Sequence, residues 1–171
     1  MPAVPFDALP DDARLWVFAT AHPLDAEAAA ALLTTVDEFL AGWAAHGTPL
    51  AAGRHWRDAH FLAVAVDQRP AGASGCSIDG LFRSLSALEP RLGTSLLGGG
   101  RVYWRDATGR VQSGDRTVFR RLAAEGALGP ATPVFDTTAA TAGDWREHFE
   151  RPLAESWHAR VAGIGAAGVR A

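Results

Sequence analysis

The sequence predicts an α+β fold, in which a mostly antiparallel sheet of about four to six strands carries three or four helices on one side. Two patterns support this class. Residues 60–67 form a short apolar run typical of a buried strand, and apolar residues from Leu32 to Trp43 recur every three or four positions, as in a helix. Because strands and helices do not alternate regularly along the chain, repeated βαβ units are not expected.

The composition predicts a single domain with short terminal extensions. The chain has 171 residues, of which 48% are hydrophobic, and this suffices for one core. Residues 1–13 contain three prolines and three aspartates and predict an extended arm, whose Phe6 and Leu9 can dock on the domain. We expect the domain itself at 14–161 and a flexible C-terminal tail at 162–171, a segment rich in glycine and alanine.

The first half of the chain predicts a long helix and three strands. Residues 14–20 have the composition of a strand. Asp25 is a suitable N-cap for the helix that follows, and Gly47 is its expected C-cap. Residues 50–56 and 60–67 predict an antiparallel pair, in which the second strand lies centrally because it is apolar on both faces.

The second half of the chain predicts two further helices and a hairpin. Ser77 is expected to cap a helix whose buried side carries leucines and a phenylalanine. Residues 101–105 and 110–113 flank an Asp-Ala-Thr-Gly turn and predict a β-hairpin. Asp115 can cap a helix over residues 117–125.

The charged residues and the cysteine content exclude several classes of protein. The net charge is −3, and all 16 basic residues are arginine, so neither a nucleic-acid footprint nor lysine chemistry is expected. A single cysteine cannot form an internal disulfide. We find no signal peptide and no apolar stretch long enough to cross a membrane, so we expect a cytoplasmic protein with no membrane partner.

The only cysteine, Cys76, lies in a turn of small residues between a predicted strand and a predicted helix. The sequence of this turn is Ala-Ser-Gly-Cys-Ser-Ile-Asp, residues 73–79. A thiolate is favoured near a helix N-terminus, where unpaired N–H groups stabilise negative charge. A catalytic Cys76 would need a base, for which His46 and His158 are candidates, and Asp79 or Asp67 to orient the imidazole. The alternatives are a buried structural cysteine, a ligand contact or a redox sensor.

Two aromatic segments supply candidate ligand contacts. Trp43 and His46 are expected on one face at the end of the first long helix, where a protonated imidazole is stabilised; His46 can equally be a capping residue. Residues 144–160 contain two tryptophans, two histidines and three arginines. They can form an aromatic and cationic wall in which Trp157 lines a pocket and Arg160 binds a carboxylate or phosphate. Alternatively, the tryptophans close the core and the charges are solvated.

Metal and nucleotide motifs are missing from the sequence. No His-Glu-x-x-His or Cys-x-x-Cys pattern occurs, so no metal site is expected. The glycines at 98–100 lack the spacing of a dinucleotide fingerprint, and a phosphate loop would need a lysine. We therefore expect no cofactor.

Four blocks of sequence carry a resemblance to a known family. They are Pro10-Asp-Asp-Ala-Arg-Leu-Trp16, Trp43-Ala-Ala-His-Gly-Thr-Pro-Leu50, Ala73-Ser-Gly-Cys-Ser-Ile-Asp79 and Ser156-Trp-His-Ala-Arg160. In them the chain resembles a bacterial family of small uncharacterised proteins that are often labelled "ABC transporter ATPase". A chain without lysine cannot build the phosphate loop of such an ATPase, so we reject that label. The resemblance implies only signature positions, namely Trp43, His46, Gly75, Cys76, Ser77, Asp79, Trp157 and His158.

Two functions follow from these residues. The first is a binding or regulatory module, in which the Gly75-Cys76-Ser77 turn, with Trp43, Trp157 and Arg160, holds a small anionic ligand or an acidic segment of a protein partner. The second is a thiol-dependent hydrolase or acyl-transferase with Cys76 as nucleophile and a histidine base. We favour the first, because an exposed thiol without a demonstrated base is easier to explain as a ligand contact, and a single cysteine has no resolving partner for redox chemistry.

Overall fold

A computed structural model describes residues 3–164, and its five α-helices and antiparallel strands within that range confirm the predicted α+β class. The strands form sheets of three, two and four members. The described part of the chain divides into two compact units, the first comprising residues 3–97 and 137–147 and the second residues 98–136 and 148–164. Most of the predicted C-terminal tail, residues 165–171, lies outside the described residues. Within residues 3–164, no helix combines the length and apolar character that crossing a membrane requires.

The first unit is built on the sheet formed by β1 (Arg14–Ala19), β4 (Ala51–Arg57) and β5 (Phe61–Asp67). The strand order is β1-β5-β4, and both pairings are antiparallel. Six consecutive residues of β5, from Phe61 to Val66, are fully buried, as a central strand covered on both faces requires. The predicted antiparallel pair and the central position of its second strand are therefore confirmed.

Helix α1 (Ala26–Ala41) begins where the sequence predicts, because the Asp25 carboxylate accepts the N–H of Ala28. The predicted end at Gly47 is wrong, since Gly42 is the C-cap. The chain then forms a hairpin of β2 (Ala44–Ala45) and β3 (Thr48–Pro49). His46 and Gly47 connect these strands with φ angles of 51° and 80°, the left-handed geometry of a tight hairpin turn, which a helix cannot contain.

Helix α2 (Gly75–Leu92) starts earlier than predicted. Its N-cap is Ser74, whose hydroxyl accepts the N–H of Ser77, so the assignment of Ser77 as N-cap is wrong. Ser74 has the extended backbone of a cap, whereas Ser77 lies inside the helix and donates its hydroxyl to the Ser74 carbonyl. The buried side of the helix carries Leu81, Leu85 and Leu88.

The N-terminal arm belongs to the first unit and packs on its strand β4. It contains a short 3-10 turn, Phe6–Ala8, and its Phe6 and Leu9 side chains are buried. The Arg146 guanidinium, on α4 (Ala142–His148), donates to the carbonyl oxygens of both residues, at 3.0 and 2.8 Å. Gly53 permits the close approach of the arm to β4, because a Cβ at this position would lie 2.5 Å from the Val4 carbonyl oxygen.

The second unit contains the four-stranded antiparallel sheet, ordered β7-β6-β8-β9. The strands are β6 (Val102–Arg105), β7 (Val111–Gly114), β8 (Pro133–Phe135) and β9 (Glu150–Pro152). The predicted hairpin corresponds to β6 and β7 and is confirmed. Helices α3 (Arg116–Ala124) and α5 (His158–Ala162) complete this unit, and Asp115 caps α3 as predicted, accepting the N–H of Val118.

Candidate functional site

The predicted cysteine turn forms the first turn of α2. Cys76 and Gly75 are exposed, and Ser77 is half-buried. Asp79 is also exposed and follows Cys76 by three residues, so the two lie on one face of the helix. The N–H of Ser77 is engaged by the capping hydroxyl, and it is therefore not available to an anion. The thiol therefore lies at an exposed helix start. Of the N–H groups expected to stabilise a thiolate there, that of Ser77 is already bonded within the protein.

Trp43 adjoins this turn as a buried anchor. Its indole Nε1 donates to the carbonyl oxygen of Ser77 at 2.9 Å. Its ring contacts those of Phe39 and Trp16, with centroid distances of 5.3 and 6.1 Å. The structure therefore brings Trp43 and Ser77 together, and the contact fixes the start of α2 against the core of the first unit.

The remaining polar partners predicted for Cys76 within the first unit are engaged elsewhere or point to solvent. His46 is exposed in its hairpin turn rather than at a helix end. Asp67 accepts two bonds from the Arg69 guanidinium, at 2.9 and 2.8 Å, and this pairing lowers the pKa of Asp67. Across residues 3–164, no hydrogen bond joins Cys76 to a histidine. The predicted catalytic grouping stays a prediction.

His158 is enclosed in the core of the second unit, at 0% exposure. Its Nδ1 lies 2.6 Å from the Ser156 hydroxyl, and its ring stacks on Trp157 with a centroid distance of 3.8 Å. Its Nε2 is buried without a hydrogen-bond partner among the described residues. Burial lowers the pKa of His158 to about 4, so the ring is neutral at neutral pH.

A shallow pocket lies on the surface of the second unit, and we call it the arginine pocket. It is lined by Arg116, Arg120, Trp157, Arg160 and Val161 and has a volume of about 310 Å³. Arg116 and Arg120 are one turn apart on α3, and Arg160 is on α5. The three arginines are exposed, and Trp157 is half-buried. Trp157 and Arg160, both predicted ligand contacts, line this one pocket.

Three contacts give the arginine pocket its shape. Arg120 Nε donates to the carbonyl oxygen of Val161 at 3.3 Å, which ties α3 to α5. The Trp157 indole Nε1 donates to the Asp136 carboxylate at 2.9 Å. The Arg116 guanidinium lies over the Trp157 ring, 5.9 Å from its centroid. The tryptophan is therefore held by its indole N–H, with one cation over its ring.

The three guanidinium groups of the arginine pocket form no ion pair among the described residues. In the part of the chain that the structure describes, no carboxylate lies within 4.0 Å of the guanidinium groups of Arg116, Arg120 or Arg160. Arg121, on the same helix, differs in having Glu125 at 3.9 Å. Arg116 and Arg120 are not among the ligand contacts predicted from the sequence. The signal was present, because the two arginines are four residues apart and follow the Asp115 cap, which places them on one helix face.

Metal-ligating residues are dispersed. Residues 3–164 contain no group of three or more histidine, cysteine, aspartate or glutamate side chains able to hold a metal ion. The arginine pocket itself is lined by guanidinium groups and an indole ring, and guanidinium groups bind anions.

Comparison with known proteins adds no assignment. No protein-family model matches this chain, and no curated protein or solved structure matches it. The resemblance to the bacterial family described above stays a prediction.

Proposed function

We propose that the protein is a binding module that holds an anionic ligand, either a small anion or an acidic segment of a partner, in the arginine pocket. The observation that supports this most is the cluster of three arginines without a carboxylate partner among the described residues. The sequence alone favours the Gly75-Cys76-Ser77 turn as the anion site. We favour the arginine pocket, because its donors are side-chain forks with several N–H groups each. The Ser77 N–H of the turn is used by the helix cap, whereas Arg120 bonds the Val161 carbonyl oxygen through its Nε and retains its two terminal amino groups.

The arginine pocket holds like charges near one another. Three guanidinium groups around one pocket repel each other, and a bound anion relieves that repulsion while accepting charge-assisted hydrogen bonds. Arginine is suited to this role because its planar fork matches a carboxylate or phosphate with two parallel bonds. The indole of Trp157 gives the pocket an apolar wall beside the cations.

Thermal unfolding at low ionic strength tests the proposal. Inorganic phosphate, citrate and a tetraglutamate peptide are added separately to the full chain. A ligand at about one hundred times its dissociation constant stabilises the fold by about 2.7 kcal/mol, which raises the melting temperature by roughly 5–10 °C for a chain of this size. We expect at least one of these anions to give such a rise, and the rise to shrink at high salt.

Two variants give the matched comparison. The double variant Arg116→Ala/Arg120→Ala removes two cations of the pocket and is expected to abolish the rise. Arg121→Ala, on the same helix but paired with Glu125, is expected to keep it. If no anion stabilises the wild-type chain, or if the double variant responds as the wild type does, the proposal is wrong.

A thiol-dependent hydrolase or acyl-transferase is the second candidate, and the exposure of Cys76 in the first turn of an 18-residue helix favours it. Iodoacetamide labelling at pH 6 tests it against an unstructured cysteine peptide. An activated thiol reacts many times faster than the peptide at that pH, and Cys76→Ser abolishes the labelling. Equal rates would eliminate the enzyme hypothesis.

A further inference from the structure

The ring of Trp157 gives the arginine pocket a second recognition element besides charge. On the basis of the proposed function, we infer that the ligand of the arginine pocket is a nucleotide-like compound, in which a phosphate monoester is linked to a planar ring. The phosphate binds the guanidinium groups, and the planar ring stacks on Trp157.

The Trp157 indole is held in place before any ligand arrives. Its Nε1 donates to Asp136 at 2.9 Å, and the buried ring of His158 stacks on it with a centroid distance of 3.8 Å and an interplanar angle of 23°. A ring fixed in this way loses little further freedom when a ligand stacks on it, so the entropic cost of binding is small. The indole is therefore a preorganised stacking surface.

The cation over Trp157 can make room for a ligand ring. The guanidinium of Arg116 lies 5.9 Å from the indole centroid, farther than the 3.8 Å that separates the indole from His158. Arg116 is exposed, and no described carboxylate holds it in place. A planar ring stacked on the indole would place its own π face near this guanidinium, a favourable arrangement for an arginine.

The size and charge of the arginine pocket favour a small phosphorylated compound over a peptide. The volume of about 310 Å³ is at the lower end of the range for small-molecule sites. Its lining carries three positive charges and no negative one, which suits the two negative charges of a phosphate monoester. An acidic peptide would use the cations but would leave the indole without a planar partner.

Isothermal titration of the full chain at low salt tests this inference with three probes: adenosine 5′-monophosphate, ribose 5-phosphate and inorganic phosphate. Stacking on an aromatic side chain is expected to make the adenosine compound bind about tenfold more tightly than ribose 5-phosphate. Trp157→Leu is expected to remove that difference. Trp157→Phe, which retains a ring, is expected to keep most of it.

The outcomes separate this inference from the proposed function. Equal affinities of the wild-type chain for adenosine 5′-monophosphate and ribose 5-phosphate overturn the planar-ring inference and leave anion binding intact. Because this comparison uses only the wild-type chain, it tests the planar-ring inference even if Trp157→Leu fails to fold. Tighter binding of tetraglutamate than of the adenosine compound also overturns the inference. If neither the three probes nor tetraglutamate binds, the inference and the proposed function are both wrong.

Discussion

Acidification is expected to destabilise the second unit through the ring of His158. This ring is fully buried, and its burial lowers its pKa from 6.5 to about 4. Asp136 opposes the shift by favouring the charged ring, whereas Arg151 adds to it. The unfolded chain therefore binds a proton at a higher pH than the folded chain does, so stability falls as the pH drops below 6.5.

The size of this loss follows from the two pKa values. Between 6.5 and about 4, each pH unit costs the folded state about 1.4 kcal/mol, which amounts to about 3 kcal/mol in all. Above pH 6.5 the ring is neutral in both states and contributes no pH dependence. Below about pH 4 the loss is complete, because the ring is then protonated in the folded state too.

Urea denaturation at pH 7, 6, 5 and 4 measures the effect in the wild type and in His158→Leu. Leucine has a similar volume and does not titrate, so the variant is expected to lose about 3 kcal/mol less than the wild type over this range. A difference between the two unfolding free energies at pH 7 reports the altered packing and the lost Ser156 contact. Only the change of that difference with pH tests the titration of His158. His22→Gln, which changes an exposed histidine, is the control and should follow the wild type.

Parallel pH profiles for the wild type and His158→Leu would refute this reasoning. They would mean that His158 takes up its proton at the same pH in both states, which a ring sealed among Phe119 and Trp157 cannot do without local opening.

Three further substitutions test local features of the fold by urea denaturation. Trp43→Phe keeps one aromatic ring but removes the indole bond to Ser77 and part of the buried ring system, and it is expected to cost at least about 1 kcal/mol. No change in stability would mean that the bond does not anchor α2. Gly53→Ala places a Cβ 2.5 Å from the Val4 carbonyl oxygen, so it should cost about 1–3 kcal/mol of stability and make the N-terminal arm more sensitive to protease. An arm that stays protected from protease would contradict this contact. Asp115→Ala removes the cap of α3 and is expected to cost about 1 kcal/mol, with Asp115→Asn retaining most of the stability.

Features set by near neighbours in the chain could be predicted from the sequence. The caps at Asp25 and Asp115 are confirmed because a carboxylate three residues before an N–H needs no distant partner. The central strand β5 is confirmed because six successive apolar residues, from Phe61 to Val66, fit a strand that is covered on both faces. Together these local signals predict the α+β class.

Two predicted helix boundaries, the end of α1 and the start of α2, were wrong. At each of them the sequence offers two residues of the same type within a few positions. Gly42 and Gly47 are both reasonable helix ends, and the choice depends on the hairpin between β2 and β3. Ser74 and Ser77 are both reasonable N-caps, and the choice depends on which residue has an extended backbone. Local composition does not distinguish such pairs, because the deciding contacts lie in the tertiary structure.

The arginine pocket and the burial of His158 were decided by the tertiary structure. Arg116 and Arg120 are about forty residues from Trp157 and Arg160 in sequence, and the packing of α3 against α5 brings them together. The sequence by itself determined the residue types, one thiol, no lysine and many arginines, and hence the chemistry available. Which of these groups share a pocket depends on long-range packing, because cations and aromatic rings separated in sequence become neighbours only when the core between them has formed.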